Sequence, residues 1–487
     1  MRTQRYIPAA LLLLALTAPG AVAQDDQGGS GQEPIPAYHS PLASAADNGQ
    51  DSETGDQMTP DTNPLSGVQD LSLGNSAMEQ RTYWQPHVSV TASANSNAAY
   101  STSGGWSAYS TFTGGIDLHR VSEKSNLLFE YLGGGSVASG GTGNSFLQQF
   151  TFGDTISFSR TILSFSDSAS YLPESAFGYN QVGGVPLSVG GPLGYQPPFV
   201  PSQSVLTNFG QRISNASTGQ VNVLLSGRSS LTFSAGYSLL DFFGDNLLNS
   251  GDMTFRAGYN YQFSPANTFA VFYQFSGFRY SNVNQSINDH SMQVSYGRRI
   301  TGKLALQAGG GIDLGMFETP LTPSSTGGTG STGGTTNSLY WSMHAALTYR
   351  LERTALGMTY THGLSSGSGV LAGADSDMVT GNVSRPLSRV WSGGINLGYS
   401  RNRGVGVATA ITPTIVTPIS DTYDYVFAGA NVSRPLGRLM SMSLGYQMQY
   451  QTSNNTFCAV GTTACSSSYI WHQVLMTFRW TDRPLAF

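Results

Sequence analysis

The chain is predicted to be all-β: a transmembrane antiparallel up-and-down β-barrel of about 18 strands, within the range of roughly 16–18, preceded by a disordered N-terminal tail. Three observations predict this class. Apolar and polar side chains alternate along one segment after another. Charged residues make up only 10% of the chain, against about 25% in an ordinary soluble protein. Beyond the first residues, no uninterrupted apolar run reaches the length of a spanning helix, so helices do not account for the low charge.

The elements follow in order. Arg2 and Arg5, the apolar stretch from Ala9 to Leu16 and the sequence Ala21-Val22-Ala23 form a charged region, a short hydrophobic region and an A-x-A cleavage site. This pattern predicts a signal peptide over residues 1–23, cleaved after Ala23. Residues 24–80 hold ten acids and no Lys or Arg. A segment this acidic and this rich in Gly, Ser, Pro and Gln cannot bury enough apolar surface to fold alone, which predicts a disordered tail. Residues 81–487 hold the other 18 acids and 21 of the basic residues and are expected to form the barrel. Such a balanced body offers nucleic acid no basic surface.

From Tyr83 onward the dominant period is two. In "LALQAGGGIDLGM", Leu304, Leu306, Ile312, Leu314 and Met316 share one face, while Gln307 and Asp313 lie on the other. In "MSMSLGYQMQY", Met440, Met442, Leu444, Tyr446, Met448 and Tyr450 oppose Ser441, Ser443, Gln447 and Gln449. That is the pattern of strands with one apolar face. Centres fall near residues 90, 114, 129, 152, 165, 220, 235, 258, 273, 293, 310, 345, 360, 381, 396, 428, 446 and 474. Short turns such as "SGRSS", "RRITGK", "SRPLSR" and "SRPLGR" alternate with long Gly/Ser/Thr/Pro stretches, as in a meander of hairpins. The repeated "NVSRPL", at Asn382 and again at Asn431, reads as punctuation before a turn, because Pro presets φ and cannot donate a ladder hydrogen bond.

A soluble sandwich and a membrane barrel both satisfy this pattern. Aromatic residues near strand ends favour the barrel: Tyr259, Tyr261 and Phe263; Trp341 and Tyr349; Trp391 and Tyr399; Phe478 and Trp480. The opposite faces are rich in Ser, Thr, Gly, Asn and Gln and carry isolated titratable groups. Asp117, His119, Glu130, Arg256, Asp313, His344, Arg350 and Arg479 are therefore the candidate pore-lining residues. Cys458 and Cys465 are the only two cysteines; an exported chain meets an oxidising compartment, which predicts a disulfide between them.

With its leader, its hairpin series over residues 83–487, stretches such as "SDSASYLPESAFGY" and a C-terminal Phe487, the sequence resembles the outer-membrane β-barrel proteins of Gram-negative bacteria, in particular the porin families known mostly from genome sequences. The resemblance implies the outer membrane as location, lipid and lipopolysaccharide as surroundings and insertion by the barrel-assembly machinery, and it leaves open both a monomer and a homo-oligomer. It also implies that the third long loop folds into the lumen, as in general porins; the sequence itself equally allows a surface cap packed outside the lumen. That loop is Leu172 to Asn208, where Glu174 is the one charged residue and Phe177, Tyr179, Tyr195 and Phe199 would narrow the channel with aromatic groups.

Motifs for chemistry are weak. "GLSSG" at Gly363 satisfies G-x-S-x-G but runs into a loop-like stretch where a nucleophile elbow needs a helix. "GTGSTG" at Gly328 lies in low-complexity sequence without the helix and acid of a dinucleotide site. No cofactor, metal or catalytic residue is expected. The function expected is passive diffusion of small hydrophilic, weakly charged solutes. The alternatives are a structural, adhesin or polymer-export barrel with a blocked lumen and, third, an outer-membrane hydrolase using scattered histidines such as His119, His344 and His362.

Overall fold

In the computed structural model, residues 82–96, 105–122, 124–138, 145–172, 212–243, 248–264, 266–281, 285–318, 335–365, 371–405, 422–458 and 465–483 are described. The expected leader, the acidic tail, the 172–208 loop beyond Leu172 and Phe487 lie outside them. The strands are β1 (Tyr83–Ser96), β2 (Trp106–Val121), β3 (Ser125–Ala138), β4 (Ser145–Ser157), β5 (Thr161–Leu172), β6 (Arg212–Ser226), β7 (Ser229–Phe242), β8 (Ser250–Ser264) and β9 (Asn267–Tyr280). They continue as β10 (Gln285–Thr301), β11 (Leu304–Glu318), β12 (Thr335–Arg350), β13 (Ala355–Ser365), β14 (Ala374–Pro386), β15 (Ser392–Gly404), β16 (Thr422–Pro435), β17 (Met440–Cys458) and β18 (Cys465–Thr481).

Each strand pairs antiparallel with its neighbours in sequence, and β18 closes on β1 from His87↔Thr481 to Asn95↔Gln473. The result is a closed 18-stranded up-and-down barrel. Closure leaves no edge with unpaired backbone groups, which a sheet surrounded by hydrocarbon requires. Eighteen strands spaced ~4.8 Å apart and tilted by about 40° close at a Cα radius of roughly 18 Å.

Alternation sets the two faces. On β1, Val88 and Val90 are exposed outward while His87, Ser89 and Thr91 are buried on the inner face. Leu306, Ile312 and Leu314 on β11 and Leu444, Tyr446 and Tyr450 on β17 also point outward, as the period of two predicts. Hydroxyl pairs knit the inner face across strands: Ser89–Thr113 at 2.5 Å, Thr91–Thr477 at 2.9 Å, Ser166–Thr218 at 2.7 Å and Ser170–Ser214 at 2.6 Å.

One end of the barrel carries the short turns. Between β6 and β7, Ser226 and Ser229 pair across Gly227-Arg228, with their hydroxyls 2.7 Å apart. The two "NVSRPL" copies end β14 and β16; the second leads into Gly437, whose φ of +128° suits glycine. The opposite end carries the long connections.

Candidate functional site

The inner wall presents three groups of side chains. The first lies toward the short-turn end and spans the seam. His87 on β1 reaches Asp117 on β2 (Nδ1–Oδ2 3.4 Å), and Arg479 on β18 reaches the same carboxylate (Nη2–Oδ2 3.5 Å). Glu130 on β3 stands opposite Asp117 in register. Closure of β18 onto β1 thus brings a guanidinium to two neighbouring carboxylates. His119 lies closer to the turn, bonded to Asn126 (2.7 Å) and edge-on to Tyr83.

The second group occupies β8 to β12. Asp252, Asp289 and Asp313 are buried on the inner face toward the long-loop end. Ser238 donates to Asp252 at 3.2 Å and Ser342 to Asp313 at 2.9 Å. Deeper along the wall, Arg256 donates to Gln274 Oε1 through Nε (3.1 Å) and lies over the Phe272 ring, with Cζ 4.4 Å from its centroid. His344 contacts Ser295 (Nε2–Oγ 2.7 Å) and packs near Phe272. Arg350 ends β12, in register with Ala355 on β13, and its side chain lies outside what is described.

The third group narrows the long-loop mouth. Phe278 and Tyr280 on β9, Ile287 on β10 and Phe317 on β11 form a buried apolar cluster on the inner face. Ala372 and Val405, which lie just outside β14 and β15, pack against it. Leu371 is buried with Ala374 and Tyr423, and Gly373, at φ +87°, lies so close to Ile287 that a Cβ there would be 2.4 Å from its Cδ1. Since β10 and β14 are separated by three strands and all these partners face inward, residues 371–373 fold into the mouth and not over the rim. Glycine is required at 373 both by φ and by this approach.

The candidate residues Asp117, His119, Glu130, Arg256, Asp313 and His344 thus lie on the inner face, as does Arg479. Sequence reading missed Asp252 and Asp289, which share the inward parity of Arg256 and of Gln293; extending the period of two along β8 and β10 finds both. It also passed over the 371–373 segment, for which the signal was "LAGAD", a glycine immediately before a strand start. The candidate constriction residues Glu174, Phe177, Tyr179, Tyr195 and Phe199 lie outside the described residues. Cys458 and Cys465 are directly opposite in the β17–β18 register.

Chemistry beyond binding finds little support. Ser365 of "GLSSG" ends β13 and bonds Ser376 Oγ (2.7 Å) and Ala374 O (3.2 Å), with no histidine among these partners. The Ser295–His344 contact has Arg256 as its charged neighbour, whereas a catalytic imidazole needs a carboxylate there. His362 faces outward, stacked on Trp341 (3.7 Å between centroids) and held by Asp377 (2.8 Å) and Asp375 (3.6 Å).

No family model and no curated protein matches the chain. Similar solved structures include Pseudomonas aeruginosa OccK2 (OpdF), at 9% identity and a TM-score of 0.39, covering 82% of this chain and 98% of that one. Pseudomonas aeruginosa OprD matches at 9% identity and 0.37, covering 83% and 97%. The siderophore receptor PiuA from Acinetobacter baumannii matches at 10% identity and 0.40, covering 81% and 82%. At such values no side chain of those barrels maps onto a side chain of this one.

Proposed function

We propose that the protein is an outer-membrane channel for passive diffusion of small hydrophilic, weakly charged solutes. One observation carries the reading: the barrel is inverted relative to a soluble core, with apolar side chains outward and a polar inner wall whose charges nearly balance. Among the described inward positions, the carboxylates Asp117, Glu130, Asp252, Asp289 and Asp313 face the guanidiniums Arg212, Arg256, Arg299 and Arg479. A balanced wall neither concentrates nor repels one sign of ion strongly.

The orientation follows from loop length, with short turns in the periplasm and long loops outside. Lipid would surround the apolar belt, and lipopolysaccharide head groups would meet the outward rim of Asp375, Asp377, Arg401, Arg403 and Asp424 above Tyr399. The barrel-assembly machinery would insert the chain after its leader is cleaved. A second copy would cover β5–β6, because Asp167 lies on the outward face four residues below Tyr171 and four above Leu163. There it accepts hydrogen bonds from Asn215 Nδ2 (3.0 Å) and Ser217 Oγ (2.5 Å), and a carboxylate at that depth is costly against lipid tails.

The competing reading is a structural barrel with a blocked lumen, favoured by the apolar cluster at the mouth. Planar-bilayer recordings of the folded protein separate the two. The channel reading predicts discrete conductance steps and a reversal potential near zero in a salt gradient. A folded preparation that shows no steps, with or without residues 24–80, would overturn it.

A further inference from the structure

Opposite the acidic wall in the 18-strand ring lies a wall of amides. Gln449 on β17 stands in register between Phe427 on β16 and Trp471 on β18, all on the inner face. One row toward the short turns, Gln447 pairs in register with Gln473, and Gln473 with Asn95 on β1. No charged side chain belongs to these two rows.

These amides are buried yet unsatisfied. Gln449 is 1% exposed, Gln447 3% and Trp471 3%. Among the described residues neither Gln449 Oε1 nor Nε2 has a hydrogen-bond partner, and the same holds for Gln447 Oε1, Gln473 Oε1 and Asn95 Oδ1. Buried amides without partners are unfavourable, and a cluster on one wall demands an explanation beyond folding. At other inner-face positions some hydroxyls pair across the strands, whereas Ser250, Thr254 and Thr268 on β8 and β9 have no partner among the described residues. The amide wall leaves acceptors and donors aimed at whatever occupies the lumen beside it.

From this we infer that the amide wall is a binding subsite for neutral, hydroxyl-rich solutes, a saccharide in chemical class; the inference rests on the channel reading above and names its solute. A sugar hydroxyl is donor and acceptor at once, so it satisfies the carboxamide oxygens and the Gln449 amide without carrying charge into a wall that has no counter-ion. The C–H faces of a pyranose ring pack on aromatic surfaces, which Trp471 and Phe427 supply on either side of Gln449. An ionic solute finds no partner here, and a purely apolar one would leave the amides unpaired.

The test uses the full-length protein in planar bilayers, with maltotriose as probe and glycine betaine, neutral but without hydroxyls, as control. Maltotriose should interrupt the current in a saturable way and betaine should not. Gln449→Leu and Trp471→Ala should each raise the half-blocking concentration about tenfold, the loss of a hydrogen-bonded or stacking contact. Trp471→Phe, which keeps a ring, should restore most of the block. A conducting channel that maltotriose does not interrupt, or that betaine interrupts equally, would overturn the saccharide site and leave the channel standing. If no current is seen, maltotriose titration of the protein in detergent by calorimetry decides separately: binding lost in Gln449→Leu supports the site without the channel, and no binding removes both.

Discussion

Gly373→Val is the most direct probe of the mouth. A β-branched residue at φ +87° costs about 1–2 kcal/mol in backbone strain. Its Cβ would be 2.4 Å from Ile287 Cδ1 and 3.2 Å from Val405 Cγ2, an overlap that in packed interiors costs about 1–3 kcal/mol. The segment is held in place by burial of Leu371, about 2 kcal/mol, and by the Val405 N to Gly373 O hydrogen bond of 3.2 Å, about 1 kcal/mol. The penalty of about 2–5 kcal/mol is thus of the same size as what retains the segment, so in-folded and displaced states become comparably populated. Single-channel recording should show a second, larger conductance level occupied for about half the time. A variant that is folded by heat-modifiable gel mobility yet shows one level equal to the parent's would refute the claim that residues 371–373 narrow the mouth.

Other expectations follow from the same geometry. A double-mutant cycle of Asp117→Asn and Arg479→Met, read by guanidinium unfolding in micelles, should give a coupling of about 1 kcal/mol, between exposed and buried pairs because the two side chains are 28% and 15% exposed; additivity would mean the seam pair is incidental. Asp167→Leu should convert an oligomer to monomers in light scattering of detergent-solubilised protein, and a parent that is already monomeric would sink the proposed β5–β6 contact. Cys458 and Cys465 should appear as one cross-linked peptide in non-reducing mass spectrometry, whereas maleimide labelling of either before reduction would exclude the disulfide.

The architecture was legible because lipid and lumen impose the simplest pattern a strand can carry. Ile312 and Leu314 point outward and Asp313 between them points inward for the same reason, the period of two. The relations among inward side chains were not legible. Asp117 and Arg479 meet across 362 positions of sequence, and which inward residue of β18 faces which of β2 depends on the register of closure, a property of the whole ring that no single strand encodes. The in-folded mouth was hidden for a different reason: residues 371–373 lie in a short connection, and length alone directed attention to the much longer 172–208 loop. The amides of Gln447 and Gln449 were visible as a polar face, but their lack of partners among the described residues depends on what the neighbouring strands place beside them.

On the proposed channel reading, the arrangement of charge along the axis explains how a wall containing five described carboxylates would still favour weakly charged solutes. On β8, Asp252 lies near the mouth and Arg256 four residues deeper, so a cation drawn toward the acids next meets a guanidinium, and an anion meets the opposite sequence. At the far end, Asp117 and Glu130 stand beside Arg479 and His87, which repeats the alternation where solute leaves. Each sign of ion therefore crosses one favourable and one unfavourable zone, and in the low-dielectric confinement of a lumen such steps act as barriers. A neutral solute crosses both zones without penalty, and on the opposite wall it meets the amides of Gln447, Gln449 and Gln473, whose carboxamide oxygens lack partners among the described residues.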